Sequence, residues 1–340
     1  MSTVHPPLRL RPILVPRVWG GDRIVREVHD ELADDAGPDP IGESWEISDV
    51  GDDPALHSVV EGGPYDGRTL RSLIESDPAG FLGTALHRQS VHDPGEPARL
   101  PLLFKILDSS QPLSVQVHPP EAWVRAHETH HAPKTEAWLI LDAAEGAWIV
   151  HGLDGIDYPT YLDRAEAGQG GEGLRRIEVS RGDLVYLPSG TVHAMGPGLL
   201  LAEIQQTSDS TFRLYDWDRV GLDGAPRTLH LDEARPIEPP PLEPCPYPAQ
   251  GERDGWQIRL ADPAAPFAIL ETRRSEPTPL PVSPERFGIL SILSGLATVG
   301  GQELPAGSAL FVPASCDPTD LQPHGEEPLW AMWMEPVASS

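Results

Sequence analysis

The residues best suited to carry chemistry are Gln116, His118, Glu136 and His193. In Ser114-Val115-Gln116-Val117-His118, the period-two alternation of a strand puts Ser114, Gln116 and His118 on one face and both valines on the other. A polar face on an otherwise apolar strand must find partners, water or a metal. Glu136 opens another β-like run after Pro133-Lys134-Thr135, and His193 follows the turn Pro188-Ser189-Gly190. Two imidazoles, a carboxylate and an amide form a mixed N/O set suited to zinc or another divalent first-row ion, with positions left for water or substrate. Taken singly, each is more simply a hydrogen-bonded core polar group. The neighbouring His127, His130 and His131 fall in a charged loop and read as solvated.

The elements that must position these residues are mostly short strands. β-like runs cover 102–107, 113–118, 136–141, 148–151, 184–187, 199–205 and 212–217, after a Trp19-Gly20-Gly21 turn and a strand-like stretch at 42–48. With 39 prolines and 32 glycines between apolar runs, the chain is predicted to be mainly β, an antiparallel sandwich or barrel. The exception is a helical insertion near residues 65–95. There Leu70, Leu73, Ile74, Phe81, Leu82 and Leu86 recur at helical spacing, Pro78 splits the run in two, and a Pro/Gly/acidic loop follows around 93–99. The Gly-rich, charged stretch 165–176 is read as a short helix or an insertion.

Seven prolines between Pro236 and Pro248 mark a linker or an extended strap. The expected domains are 1–235, metal-binding and catalytic, and 251–340, a second β domain, joined by a Pro-rich linker at 236–250. The two share an echo: the segment 181–190 aligns with 306–315, each a turn glycine, a strand and a terminating proline. Where the first continues to His193 the second has Pro318, so the second domain is expected to hold no metal.

Charge excludes several partners. The 340-residue chain has 52 acidic against 25 basic side chains, a formal charge of −27, which argues against nucleic acid and anionic membranes. Only two of the basic residues are lysines, Lys105 and Lys134; the other 23 are arginines. Cys245 and Cys316 are too few and too far apart for a disulfide framework, and no apolar run approaches the ~20 residues of a spanning helix. A cytoplasmic monomer is expected.

The ordered motifs carry a family resemblance. Gly182-x5-Pro188-x-Gly190-x2-His193 resembles the second cupin motif, and Gln116-x-His118 stands where the first motif has HxH, with its glutamate 18 residues beyond His118. Together with Pro101-Leu102-Leu103-Phe104-Lys105-Ile106-Leu107, Lys134-Thr135-Glu136 and the block 186–219, they resemble type I mannose-6-phosphate isomerase in its short bacterial form. The resemblance is dense from Pro101 to Arg219 and weaker in the C-terminal part. Departures are Pro120 after His-Pro, Pro133 before Lys-Thr-Glu, and Pro197 where the cupin pattern has asparagine.

This resemblance implies two cupin-like jelly-roll β-barrels and interconversion of mannose 6-phosphate and fructose 6-phosphate through an enediol. It implies one Zn2+ per chain on Gln116, His118, Glu136 and His193. Arg213, Lys134 and Glu203 would be catalytic, Lys105 and Ser114 would lie near the phosphate, and Trp19 and Glu43 would line the pocket. The base stays open between Glu203, on an apolar strand face that would raise its pKa, and Lys134, lowered by zinc and Arg213. A glutamate paired with Arg213 would instead be depressed. The alternatives are a non-catalytic sugar-phosphate-binding double cupin, a metal-cupin oxygenase (which gives Lys105 and Lys134 no task) and isomerisation of another phosphorylated aldose. The dianionic sugar phosphate needs a locally cationic pocket, which screening over ~8 Å allows within an acidic body. Such a pocket gives the two lysines a reason to persist: a compact ammonium is not replaced by arginine's broad fork.

Overall fold

The computed structural model describes residues 3–91, 97–127 and 131–337, so His130 and part of the loop expected around 93–99 lie outside the described residues. The fold is mainly β. In chain order the first strands are β1 (Leu8–Arg9), β2 (Ile13–Gly21), β3 (Ile41–Ile47), β4 (Leu102–Ser109), β5 (Val115–Val117), β6 (Glu136–Ala143), β7 (Trp148–Leu153), β8 (Leu174–Glu178), β9 (Leu184–Leu187), β10 (His193–Met195), β11 (Leu199–Gln206) and β12 (Phe212–Tyr215). Contacts divide the chain into two compact units: Leu14–Trp45 with Phe104–Pro248, and Met1–Ile13, Glu46–Leu103 with Ala249–Ser340.

The first of these units contains a six-stranded sheet, ordered β2-β3-β4-β11-β6-β9, and a five-stranded sheet, ordered β12-β5-β10-β7-β8. Trp19, Leu107, Trp138, Val185 and Leu201 of the larger sheet pack with Leu113, Ile149 and Met195, forming one core. The outer face of the smaller sheet has its own core. Val115, Val117, Val150, Ala194 and Phe212 are covered by Tyr161 and Leu162 of the helix Tyr158–Glu166 and by Ala234 and Ile237. This explains the alternation around Gln116: the valines are drawn under the helix, which leaves the intervening polar side chains facing the other way. The proline-rich stretch is a strap on this unit. Ile237 and Tyr247 are buried, and the Tyr247 N–H donates to the Leu184 carbonyl at 2.6 Å.

The second unit holds a seven-stranded and a four-stranded sheet. Trp256, Leu270, Leu290, Leu310 and Trp333 fill its core with Val299, Leu304 and Leu321. The strand Ala309–Val312, foreseen from the internal echo, pairs with Gly288–Ser294. The strand pairings of the seven-, five- and four-stranded sheets are antiparallel, as are β11-β6 and β6-β9, and each sheet stays open in its strand order, so the expected barrels take the form of open sheets.

Three findings refine the sequence reading. The helical insertion is three helices, Leu70–Ser76, Pro78–Leu82 and Thr84–Val91, the second break falling at Gly83. Its φ is +101°, and a Cβ there would meet the Glu285 backbone at 2.3 Å, so glycine is required. That contact, with the Phe287 N–H donating to Leu82 O at 3.1 Å, places the helices in the unit of the C-terminal strands, across the sequential boundary expected at 236–250. The helix expected within 165–176 lies earlier, at Tyr158–Glu166, capped by Asp157; the later part forms β8.

Candidate active site

Strand register builds one wall. Across the five-stranded sheet Arg213 pairs with Gln116, Gln116 with His193, and His193 with His151. Directly opposed residues share a face, so these four side chains form one row. His151 was not singled out from sequence. It is fully buried, and burial, with Arg175, pushes its imidazole down to about 4, so it is neutral.

The strands of the six-stranded sheet form the opposite wall, contributing Trp19, Glu43, Trp45, Lys105, Trp138 and Glu203 to a cavity of about 320 Å³. Ser114, Gln116, Lys134 and Arg213 line it too, as do Arg17 and Arg227, which the sequence reading missed. Five cationic side chains face this cavity against three carboxylates. The local field is thus the inverse of the protein's overall charge, as an anionic ligand requires.

Beside Gln116 and Lys134, the buried residues His118, Glu136 and His193 bring their ligand atoms within 4.8 Å of one another. His118 Nδ1 lies 2.9 Å from the Ser210 carbonyl and His193 Nδ1 lies 2.8 Å from the Thr191 carbonyl. A carbonyl only accepts, so each Nδ1 carries the proton and each Nε2 presents a lone pair. Both lone pairs face Glu136, at 3.3 Å for His118 and 3.2 Å for His193. Glu136 Oε1 has no hydrogen-bond donor. The Gln116 amide lies 3.2 Å from His193 Nε2. Lys134 Nζ lies 3.2 Å from His118 Nε2, but Glu136 Oε1, beside His193 Nε2, is left without a donor, and two imidazoles, a carboxylate and an amide form a set that fits a divalent ion. Burial and the Lys134 charge push His118 down to about 3, keeping it in the neutral form that a ligand needs.

The remaining charges form a buried, alternating string. Lys134 Nζ donates to Glu136 Oε2 at 2.5 Å and lies 4.0 Å from Glu203 Oε1. Lys105 Nζ stands 3.5 Å from Glu203 Oε1 and 3.3 Å from Glu43 Oε2. Trp138 Nε1 donates to Glu203 Oε2 at 2.8 Å. Glu203 is therefore held by Trp138 and the lysines, with no pairing to Arg213. Burial first, then the Glu136 charge, raises its pKa above the ordinary value, the direction expected from its apolar strand face. Burial works against the Lys134 ammonium, but Glu136 and Glu203 outweigh it and hold its pKa above the usual lysine value. This is opposite to the shift that its use as a base requires. Glu43 is kept far below the carboxylate range: burial opposes this, but Lys105 and Arg17 prevail.

Arg213 and Arg227 also line the cavity, with Ser114 and Thr211. Asp216 accepts from Arg227 at 2.7 Å and from Arg219 at 2.9 Å, so one carboxylate supports two guanidinium groups. Arg213 donates through Nη1 to Thr228 O at 2.8 Å, and its buried Nε has no acceptor. Of the three loop histidines, His127 is exposed but stacks on Trp123 at 4.1 Å. His131 is half-buried, 3.2 Å from Ser210 Oγ, rather than solvated.

Two facing antiparallel sheets with a His/Glu/His cluster beside a cationic cavity define a cupin-type enzyme architecture. Residues 8–140 match the family model for phosphomannose isomerase type I, catalytic domain. Mannose-6-phosphate isomerase ManA of Bacillus subtilis is 39% identical over 235 residues, 67% of this chain and 66% of that one. The probable mannose-6-phosphate isomerase GmuF of the same organism is 33% identical over 317 residues, covering 91% of this chain and 93% of its own. A crystal structure of the B. subtilis mannose 6-phosphate isomerase superposes with a TM-score of 0.79 at 28% identity, covering 98% of this chain and all of that one. The chain belongs to the type I phosphomannose isomerase family.

Proposed function

We propose that this protein interconverts mannose 6-phosphate and fructose 6-phosphate through an enediol, using one Zn2+ per chain. The observation that carries the reading is the buried juxtaposition of Glu203, its pKa raised, with two ammonium groups beside the His118/Glu136/His193 cluster. Gln116, His118, Glu136 and His193 are the proposed ligands. Zinc bound there would supply Lewis acidity to the O1/O2 side of the sugar.

Glu203 is the proposed base. It takes the proton from C2 of the aldose as O1 gains one to give the enediol, and returns it to C1 as O2 gives up its own, and the reverse reaction uses the same two steps. A carboxylate with a raised pKa is better matched to this exchange near neutrality than an ordinary one. The Trp138 N–H fixes one of its oxygens and leaves the other beside the lysines. Lys134 and Lys105 offset negative charge that develops on the enediol oxygens, and Arg213 offers its unspent Nε–H to the same region. Lys105, held between two glutamates, serves this reacting end. The phosphate falls to Arg227 with Ser114, and Trp19 and Glu43 complete the pocket wall.

No helix among the described residues is long and apolar enough to cross a membrane. We place the activity in the cytoplasm, where the two free thiols stay reduced, and take the enzyme to act as a monomer on a small sugar phosphate. A coupled assay with mannose 6-phosphate, run before and after chelation and again with zinc restored, tests the proposal. Activity should vanish and return; a zinc-loaded protein without turnover overturns it.

A further inference from the structure

Arg17 lies two residues before Trp19 on β2, where Trp19-Gly20-Gly21 continues the strand rather than turning, and alternation sets it on the same face as Trp19. Its path to the cavity is made by a glycine on the adjacent strand. A Cβ at Gly42 would lie 2.5 Å from Arg17 Cβ and 2.8 Å from the Trp19 ring, so β3 stays bare where the arginine crosses it. Arg17 Nε then donates to Glu43 Oε1 at 2.8 Å, and Trp45 Nε1 donates to Glu43 Oε2 at 2.6 Å. With both carboxylate oxygens served, Glu43 leaves Lys105 almost equidistant between itself and Glu203, at 3.3 and 3.5 Å, with its Nζ 4.9 Å from the centre of the Trp45 ring. Among these buried groups the carboxylates Glu43, Glu136 and Glu203 outnumber the ammoniums Lys105 and Lys134. Arg17 is the cation that evens the count.

We infer that Arg17 is a positioning residue for the isomerase reaction: by holding Glu43, it leaves Lys105 shared with Glu203. The inference rests on Glu203 as the base proposed above. Without Arg17, Glu43 draws the Lys105 ammonium toward itself. Glu203 is faced by Lys105 from β4, by Glu43 from β3, by Glu136 and the Trp138 N–H from β6, and by Lys134 just before β6. Of these, only the Lys105 and Glu43 contributions depend on Arg17, and losing it shifts both toward a protonated Glu203.

The test compares Arg17→Gln and Arg17→Lys with wild type, with zinc content measured in each. The expected result for Arg17→Gln is a fall of about tenfold in kcat with KM changed less than about threefold, and an acid limb of kcat/KM displaced to higher pH. Arg17→Lys should recover part of both. An increase in KM with kcat and the pH limb intact overturns the inference and makes Arg17 a substrate contact. Infrared titration of the carboxyl groups, with Glu203→Gln to assign the band, gives a readout that needs no turnover: the Glu203 midpoint should rise in Arg17→Gln. An unmoved midpoint overturns the inference. Wild type that is inactive with zinc overturns the proposed function instead, and the infrared midpoint still decides the role of Arg17.

Discussion

Lys105 Nζ lies 3.5 Å from Glu203 Oε1 in a site where each side chain is less than a tenth exposed. An ion pair so buried loses most of its hydration, and it persists because Lys134, Glu43 and Trp138 complete the surroundings of both partners. The relationship sets the character of the pocket. Glu203 is fully buried, and its position beside two ammonium groups favours the ionised form that the proposed proton transfer needs.

Replacing Glu203 with glutamine should remove proton transfer while keeping the Trp138 hydrogen bond and the shape of the site. The expected loss is about 10²–10⁴ in kcat. Exchange of the C2 proton with solvent deuterium, followed by NMR, should fall in parallel, and zinc content should be unchanged. Wild-type exchange in the variant removes Glu203 from the chemistry.

The pH dependence follows from the same residue. A base must be ionised to act, and burial raises Glu203 above the ordinary 4.5, so activity should fall as pH drops toward a midpoint above that value. The stability term has its own sign. With the folded pKa above the unfolded one, the native state binds more protons, so this group's contribution is greatest below the unfolded pKa and is lost as pH rises through the folded pKa. Acid should therefore silence turnover before it unfolds this part of the protein. A kcat/KM profile beside urea melts at each pH checks both, and an acid limb at or below the ordinary carboxylate value contradicts the assignment.

The two lysines give a substitution test that keeps charge. Lys134 Nζ is 2.5 Å from Glu136 Oε2 and 3.2 Å from His118 Nε2, and Lys105 is wedged between two carboxylates. A planar guanidinium fits neither space without displacing its neighbours. Lys134→Arg and Lys105→Arg should each lose about tenfold or more in kcat, and Lys134→Arg should also weaken zinc retention. Normal turnover in both variants would make the survival of only these two lysines a coincidence.

What the sequence revealed follows the range of the interactions involved. Alternation in Ser114–His118 put Gln116 and His118 on one face because Val115 and Val117, on the other, pack under the apolar side chains of the helix and of Ala234 and Ile237. The proline and glycine punctuation of 182–190 located His193 through local backbone geometry. Arg17, Arg227 and His151 were hidden because only pairing between distant strands, or the fold of the 216–230 loop, brings them to the site. In a chain with 23 arginines nothing local marks those two. The environments of Lys105 and Lys134 were equally unreadable, since each depends on carboxylates from other strands. The helices at 70–91 showed in the periodicity, but the strands they accompany are fixed by the Glu285 backbone against Gly83.

The phosphate end can be tested through its support. Asp216 holds Arg219 and Arg227, and burial notwithstanding, those guanidiniums keep its pKa below the usual value. Asp216→Asn keeps the shape but releases the grip on Arg227. KM for mannose 6-phosphate should rise about tenfold with kcat little changed, since the phosphate is held alike in ground and transition states. A fall in kcat at constant KM would place these arginines at the reacting end instead.

Metal removal should register in stability as well as in activity. The Ser210 and Thr191 carbonyls hold both imidazoles with Nε2 lone pairs toward Glu136, so in the stripped protein three electron-rich groups face one another out of water, offset by the Lys134 ammonium alone. A ligand that binds only the folded state at 100 times its Kd adds about 2.7 kcal/mol. Chelation should accordingly lower Tm by about 5–10 °C at neutral pH, and zinc should restore it. The effect should shrink in acid, where protons compete for the same lone pairs and carboxylate. His118→Ala should lower the Tm of the zinc-free protein less than that of the loaded one, because it removes a ligand and also relieves the repulsion. Equal Tm values with and without chelator, in a protein shown to have bound zinc, would mean that the folded cluster is no better a zinc site than the unfolded chain.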